Sequence, residues 1–504
     1  MSQPTTSRRA SATIIVACIA TAMLVLDISV INTALSDISD GLGTGLSGLQ
    51  WVIDAYTLPL AAVVLTAGSL ADRFGRKRAF VLGLAIFTAA SAVCGVSGSI
   101  GVLVAARAVQ GIGAAILFAV SLALIAQVTP THAARTKAMA LYGGTIGGAL
   151  AIGPFVGGVL TDVVSWRAIF LINVPLGIAG LWMTITQVAE SRDSRARKVD
   201  VPGQVALVAG LFGIVLGLLR ANEDGWGSPV VLISLIAGGL LVLTFGLIET
   251  RSREPMLPLA LFRQQDFAGV QLSVFAVSSS LFALFLYLSL YLQGPLGLSP
   301  LETGLVYLPG SISMFLVSGA TPQIAARIGN GRLATLGLAL VAGSLALMLL
   351  LQADSSWWLT LPATMLGFIG AGLYNPAISV IALGALPEEQ SGLAAGAYDT
   401  FRQSGIALGT AALGAFVPAA GAFGGVAATD SYVNGFHHAA LVALGIAVVG
   451  TVAAGVLIGR KHAAVPKVAT AAPVPAPQPL PAGVEVIGLE PAYEIRSEGL
   501  PPAA

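Results

Sequence analysis

Fourteen separate stretches of this chain are apolar over membrane-crossing lengths, and nothing else in the sequence limits the fold so tightly. A helix rises ~1.5 Å per residue, so about 20 apolar residues cross a hydrocarbon core. The stretches lie at about 12–35, 47–70, 79–98, 102–127, 137–161, 167–187, 202–220, 229–249, 267–293, 301–322, 333–352, 358–384, 391–416 and 437–459, bounded by charges or by Gly, Pro and Asn. Composition agrees: 56% of the 504 residues are hydrophobic and 10% charged, against about 45–50% and 25% in soluble domains. An all-α integral membrane protein follows. Its start, "SRRASATIIVACIATAMLV", has the basic and apolar parts of a signal peptide, but the apolar run continues to about residue 35 and reads as an uncleaved first span.

The formal net charge is only +1, so nothing points to a nucleic-acid partner. Placement says more. Nineteen of the 25 Lys and Arg fall on one side of the predicted spans, two (Arg167 and Arg220) on the other, two in the distal tail and two within spans. Cationic loops stay in the cytoplasm, so both termini are expected there. Cys18 and Cys94 sit in apolar runs, and the four histidines share no ligand spacing with them or with acids, so neither a metal nor a cofactor is expected. The tail from 462 to 504 is rich in Pro and Ala and is expected to be disordered.

Shifted by 254 residues, "LADRFGRKRAFVLGLA" (70–85) lies over "IAARIGNGRLATLGLA" (324–339). Gly75 meets Gly329 and Arg78 meets Arg332, whereas Asp72 meets Ala326. Two homologous bundles, related about an axis along the membrane normal, are the expected arrangement.

Three motifs then carry a resemblance. "GSLADRFGRKRAF" (68–80) sets Gly68, Asp72, Arg73, Gly75 and Arg76 in a short basic loop. "LVAARAVQGIGAA" (103–115) puts Arg107 about 8 Å inside its span. "GGTIGGALAIGPFVGGVL" (143–160) offers two small-residue faces, Gly144/Gly148 and Gly153/Gly157, with Pro154 and Gly158 beside the second. Together these resemble the loop between spans two and three, the proton-linked arginine motif and the antiporter glycine motif of the major facilitator superfamily. The fourteen spans, with "LDISVIN" (26–32), "WRAIFLINVP" (166–175) and "REPMLPLALF" (253–262), are similar to its fourteen-helix drug:proton antiporters. The resemblance covers about residues 12 to 459. It implies a cytoplasmic N-terminus (1–11), a six-helix bundle (12–187), a linker with two added helices (188–266), a second six-helix bundle (267–461) and the tail. Two departures stand out: Ser36 replaces a common proline, and Asp399 stands where the family more often has Asn.

Of the 24 acids only Asp27, Asp54 and Asp399 fall well within spans. A charge in hydrocarbon is costly and marks a partner, an aqueous cavity or a function. Asp27, Asp54 and Arg107 share a layer about 8 to 12 Å from the outer end, while Asp399 and Arg402, three residues apart, lie nearer the inner end. Burial favours a protonated carboxyl and a neighbouring arginine favours the charged form, so Asp27 beside Arg107 has the chemistry of a proton carrier. A permanent Asp27–Arg107 ion pair is the plain alternative, interfacial solvation is that for Asp54, and a local ion pair is that for Asp399 with Arg402. Asp27, Asn32, Asp54 and Asp399 are the candidate residues of a substrate cavity. The expected function is export of amphipathic drugs or antibiotics, cationic or neutral, against protons by a monomer in a bacterial plasma membrane. Export of a lipid or metabolite, and less readily uptake, stay open. No catalytic constellation or nucleotide-binding loop argues for an enzyme or an ATP-driven pump.

Overall fold

The computed structural model describes residues 4–129, 131–192, 200–252, 254–386, 390–418 and 426–458, all within one compact unit. The expected tail lies outside these residues. The first half comprises α1 (Pro4–Val30), α2 (Leu35–Leu42), α3 (Leu46–Phe74), α4 (Arg76–Gly95), α5 (Ile100–Val128), α6 (His132–Val163), α7 (Ala168–Leu171) and α8 (Asn173–Gln187). Two paired helices follow, α9 (Val201–Asp224) and α10 (Pro229–Arg251). The second half comprises α11 (Gln265–Val277), α12 (Ala283–Gln293), α13 (Pro300–Ile328), α14 (Asn330–Met348), α15 (Thr360–Gly384), α16 (Ser391–Gly414) and α17 (Val426–Leu457). A π-helical turn, Ser278–Phe282, joins α11 to α12. α1 starts at Pro4, ahead of the expected first span, and the sixth span is broken into α7 and α8.

Among the described residues thirteen helices are long and apolar enough to cross a membrane. The expected span at 391–416 is a helix, α16, but it is not among the thirteen: its stretch from Tyr398 to Ser404 includes Asp399, Thr400, Arg402 and Gln403 and lowers its hydropathy. Its neighbours explain the tolerance. α16 packs on α3, α9, α11 and α12, so these polar side chains are shielded by protein.

The internal repeat is wider than its loop. α3 and α13 begin and end at matching positions under the same shift, and each is joined to the next helix by a single glycine, Gly75 (φ 114°) or Gly329 (φ 88°). Only glycine adopts such a backbone without strain, which is why both copies keep it. The start of α13 is fixed by a capping box: Ser299 Oγ accepts from the Glu302 N–H, Glu302 Oε2 accepts from the Ser299 N–H at 2.8 Å, and Pro300 opens the helix.

The two halves meet along α3 with α16 and α6 with α13. At the end of the bundle away from the Asp72–Arg78 loop they are bonded together: Gln293 Nε2 donates to Thr33 O at 3.1 Å, and Gln50 Nε2 donates to the Tyr287 hydroxyl at 2.7 Å. Gly158 and Gly304 complete that seal, because a methyl on either would meet the backbone of Pro300 or Pro154. Val30, Leu49 and Val52 share one apolar core there with Leu284, Leu288 and Tyr291.

Candidate functional site

Asp27 and Arg107 are paired. The Arg107 guanidinium contacts the Asp27 carboxylate through Nη1, and both side chains are buried, at 2% and 1% exposure. Four further groups fix the pair. Gln110 Nε2 donates to Asp27 Oδ1 at 2.8 Å and Asn173 Nδ2 donates to the same oxygen at 3.2 Å. Arg107 Nε donates to Val52 O at 3.0 Å and Nη1 to Gln110 Oε1 at 2.9 Å. Ser91 Oγ accepts from both amides, at 3.3 Å from Gln110 and 3.1 Å from Asn173. The guanidinium also lies over the Tyr56 ring, 4.2 Å from its centroid. Charge burial is affordable because almost every polar atom of the cluster has a partner.

The cluster draws on α1, α3, α4, α5 and α8, so it gathers nearly the whole first half. Their place as charges inside apolar spans pointed to Asp27 and Arg107. Gln110, Asn173 and Ser91 were missed as members, although Gln110 follows Arg107 by one helical turn within the motif and Asn173 stands in "WRAIFLINVP".

Beside the cluster a cavity opens between the halves, with about 830 Å³ of space counting its mouth. Asn32 and Arg107 are on its wall, as are Tyr56, Phe285, Tyr307 and Phe368. Of the four expected cavity residues only Asn32 lines it. Asp27 sits behind Arg107, and neither Asp54 nor Asp399 is among the lining residues.

Asp54 is fully buried on α3, and among the described residues no donor reaches either carboxylate oxygen. A buried carboxyl without a partner is costly and marks Asp54 as a group that structure alone does not require. It is not joined to Asp27 and Arg107 by any hydrogen bond found in the structure. Asp399 and Arg402 face each other at 3.6 Å, the local pair anticipated from their spacing, and the Arg402 guanidinium reaches across to the Phe118 ring of α5 at 5.5 Å.

In the basic loop, Arg76 Nε donates to Asp72 Oδ1 at 2.8 Å, and Arg73 lies over the Phe74 ring at 5.7 Å. Glu190, absent from the sequence reading, covers the start of α4. Its Oε1 accepts from the Lys77 N–H at 3.0 Å, next to the positive end of the helix, and Ser191 O accepts from the Arg76 N–H. Gly68 permits no unusually close helix approach: the nearest group to a methyl placed there is Ala119 Cβ at 3.9 Å, an ordinary contact. The glycine-rich helix α6 uses one of its two faces. Gly153 and Gly157 press on Ser29 and Val30 of α1, Gly158 presses on α13, and Gly144 and Gly148 have nothing within 4 Å.

Membrane-length helices in duplicated bundles, with a cavity between them and a buried charge cluster at its wall, define a polytopic transporter. The sequence pattern described as the Major Facilitator Superfamily matches residues 17–410, and the chain belongs to that superfamily. It is 34% identical over 468 residues to the puromycin resistance protein of Streptomyces alboniger, covering 90% of this chain and 92% of that one. It is 36% identical over 405 residues to the tetracenomycin C resistance and export protein of Streptomyces glaucescens, covering 80% and 75%. The multidrug resistance protein Stp of Mycobacterium tuberculosis is 33% identical over 399 residues, covering 79% and 74%. Among solved structures the nucleoside transporter NupG superposes with a TM-score of 0.61 at 12% identity, covering 89% of this chain and all of that one. The protein is thus a multi-pass membrane transporter of this superfamily, and not an enzyme.

Proposed function

We propose that this protein exports amphipathic drugs or antibiotics across a bacterial cell membrane in exchange for protons, by alternating access. The observation that carries the reading is the buried Asp27–Arg107–Gln110–Asn173 cluster, whose arginine forms part of the cavity wall. A proton on Asp27 cancels its charge and releases Arg107 from the pair. The guanidinium is then free to reorganise at the cavity wall, so proton occupancy and cavity shape are linked. Relatives named for puromycin resistance, for tetracenomycin C resistance and export, and for multidrug resistance support a drug or antibiotic cargo.

In this reading the Asp72–Arg78 loop and both termini face the cytoplasm, and the structure is the state sealed at the outer end. Residues 12–187 and 267–461 act as the two rocking bundles, the segment 188–266 joins them, and the protein works as a monomer. Asp54 is a second protonatable group, while Asp399 and Arg402 are an ion pair nearer the cytoplasm.

The test is pH-gradient-driven export in everted vesicles, comparing the natural protein with Asp27→Asn, with expression and folding matched. Export should collapse in the variant while equilibrium binding of the drug persists. Full gradient-driven export by Asp27→Asn would defeat the proposal and leave the pair a structural one.

A further inference from the structure

The second half supplies the cavity with a cluster of aromatic rings. Phe285 and Phe368 stack with centroids 5.1 Å apart and planes 26° apart. Tyr307 packs edgewise on both, at 5.8 Å from Phe285 and 6.3 Å from Phe368, and Phe282 meets Phe285 at 6.0 Å. All four line the cavity. They come from the π-helical turn, α12, α13 and α15, so three helices and a backbone irregularity converge to build one wall. Lipid packing alone does not ask for such convergence.

The opposite wall has no carboxylate among the described residues. Its charged side chain is Arg107, with Asp27 held behind it, and Asn32 adds a neutral amide. A permanent cation entering here would give up its hydration and meet arginine as the nearest charge. The rings do not make up for that loss. An aromatic cage recognises a cation with open ring faces. Phe285 and Phe368 cover one face of each other, so they offer a single stacking face and not the several faces that enclose a cation, and the Tyr56 ring already has the Arg107 guanidinium over it at 4.2 Å. A flat, uncharged aromatic has no such cost. It extends the Phe285–Phe368 stack and sets carbonyl or hydroxyl groups on its rim against Asn32.

We infer that the cargo class of this cavity is planar, neutral, aromatic molecules with polar rim substituents, and that Phe285 and Phe368 set this preference, with permanent organic cations excluded. This rests on the export reading above and narrows it: the sequence alone left room for cationic cargo through Asp27, Asp54 and Asp399, none of which is on the wall.

The test uses the purified full-length protein in nanodiscs with two fluorescent probes, neutral planar 7-methoxy-4-methylcoumarin, which carries its lactone carbonyl on the rim, and the planar cation ethidium. The neutral probe should bind saturably, and Phe285→Leu, which keeps bulk but removes the ring, should weaken it about tenfold, with Phe285→Tyr restoring it to within about threefold. Ethidium should neither bind saturably nor displace the neutral probe. Ethidium binding as tightly as the neutral probe, or unaltered neutral-probe binding in both Phe285→Leu and Phe368→Leu, would overturn the inference, as would a neutral probe that does not bind. The same samples, reconstituted with a pH gradient, separate the two claims: selective neutral binding without gradient-driven movement would refute proton-coupled export and leave the cargo class intact.

Discussion

The buried pair should report its own structural worth in a double-mutant cycle with Asp27→Leu and Arg107→Met. Asp27 accepts from Arg107, Gln110 and Asn173, so Asp27→Leu leaves a buried guanidinium without its counter-charge. Breaking a buried pair in this way costs about 3–5 kcal/mol. The two amides soften the rest of the loss, because each also donates to Ser91 Oγ and each forfeits well under the ~1 kcal/mol of a lone hydrogen bond. Arg107→Met is milder, about 2 kcal/mol, since the carboxyl keeps both amide donors and can discharge itself by taking a proton. The double variant replaces both charges by apolar groups of similar bulk and should be only ~1–3 kcal/mol less stable than the natural protein, giving a coupling of at least about 2 kcal/mol. Denaturant unfolding in mixed micelles, followed by tryptophan fluorescence, measures each corner of the cycle. Additive costs, with a coupling below about 0.5 kcal/mol, would refute the claim that the two residues act as one buried unit.

Three further outcomes are expected. Gly304→Ala, whose new methyl would lie 2.7 Å from Pro154 O, should force α6 and α13 apart and lower stability by about 1–3 kcal/mol, whereas Gly144→Ala, with nothing within 4 Å, should be neutral or slightly stabilising; thermal unfolding in detergent compares the two. Glu190→Ala should cost about 1 kcal/mol by uncapping α4, and Glu190→Gln much less, since an amide oxygen still accepts from Lys77 N and the Arg78 pair at 3.7 Å is exposed and weak; the same melts at low and high salt check this. Burial first, then the charges of Asp40 and Asp162, raise the Asp37 carboxyl above its ordinary range, so its ionisation opposes the fold as pH rises through that raised value. Asp37→Asn should therefore raise the melting midpoint by about 1 °C near pH 7, and the gain should vanish below about pH 4, where the natural residue is protonated in both states.

What the sequence makes legible follows from how each feature is encoded. Helix number and direction are carried by apolar runs and basic loops, which are local, so thirteen spans meet a length-and-apolarity test and α16 is recognisable despite its polar stretch. The glycine hinge at 75 and 329 and the capping box at 299–302 are also local, and the backbone obeys them. The charge cluster is only half legible. Asp27 and Arg107 stand out because a charge in a span is expensive, but Gln110, Asn173 and Ser91 are neutral and come from three helices whose meeting no periodicity reveals. The cavity wall is hidden for the opposite reason. Phenylalanine is at home in lipid, so Phe285 and Phe368 look like ordinary membrane residues until α12 and α15 bring them to 5.1 Å. Depth misleads as well: it groups Asp27 with Arg107 at one level, yet Arg107 lines the cavity and its partner Asp27 does not.

The duplicated scaffold explains why those two kinds of side chain fall on different halves. α3 and α13 match end to end, but Asp54 and Asp72 of the first copy correspond to Leu308 and Ala326 of the second. The second half's buried acid, Asp399, is paired with its own Arg402 and does not line the cavity; an acid facing the first set there would add desolvation cost and like-charge repulsion. Confining the Asp27–Arg107 pair to one bundle lets that bundle hold its own counter-charges with its own amides, independent of how the other bundle is placed. The second half is then free to present uncharged rings, which grip an apolar molecule in any register of the two bundles. Movement of one half past the other breaks few bonds at the sealed end, chiefly those of Gln50 with Tyr287 and Gln293 with Thr33, while both partners of the buried pair move with the same bundle. The halves differ in chemistry because a rocking machine must not make its costliest interactions across the surface that opens: Arg107 lines the cavity, but every bond of the pair stays within one bundle.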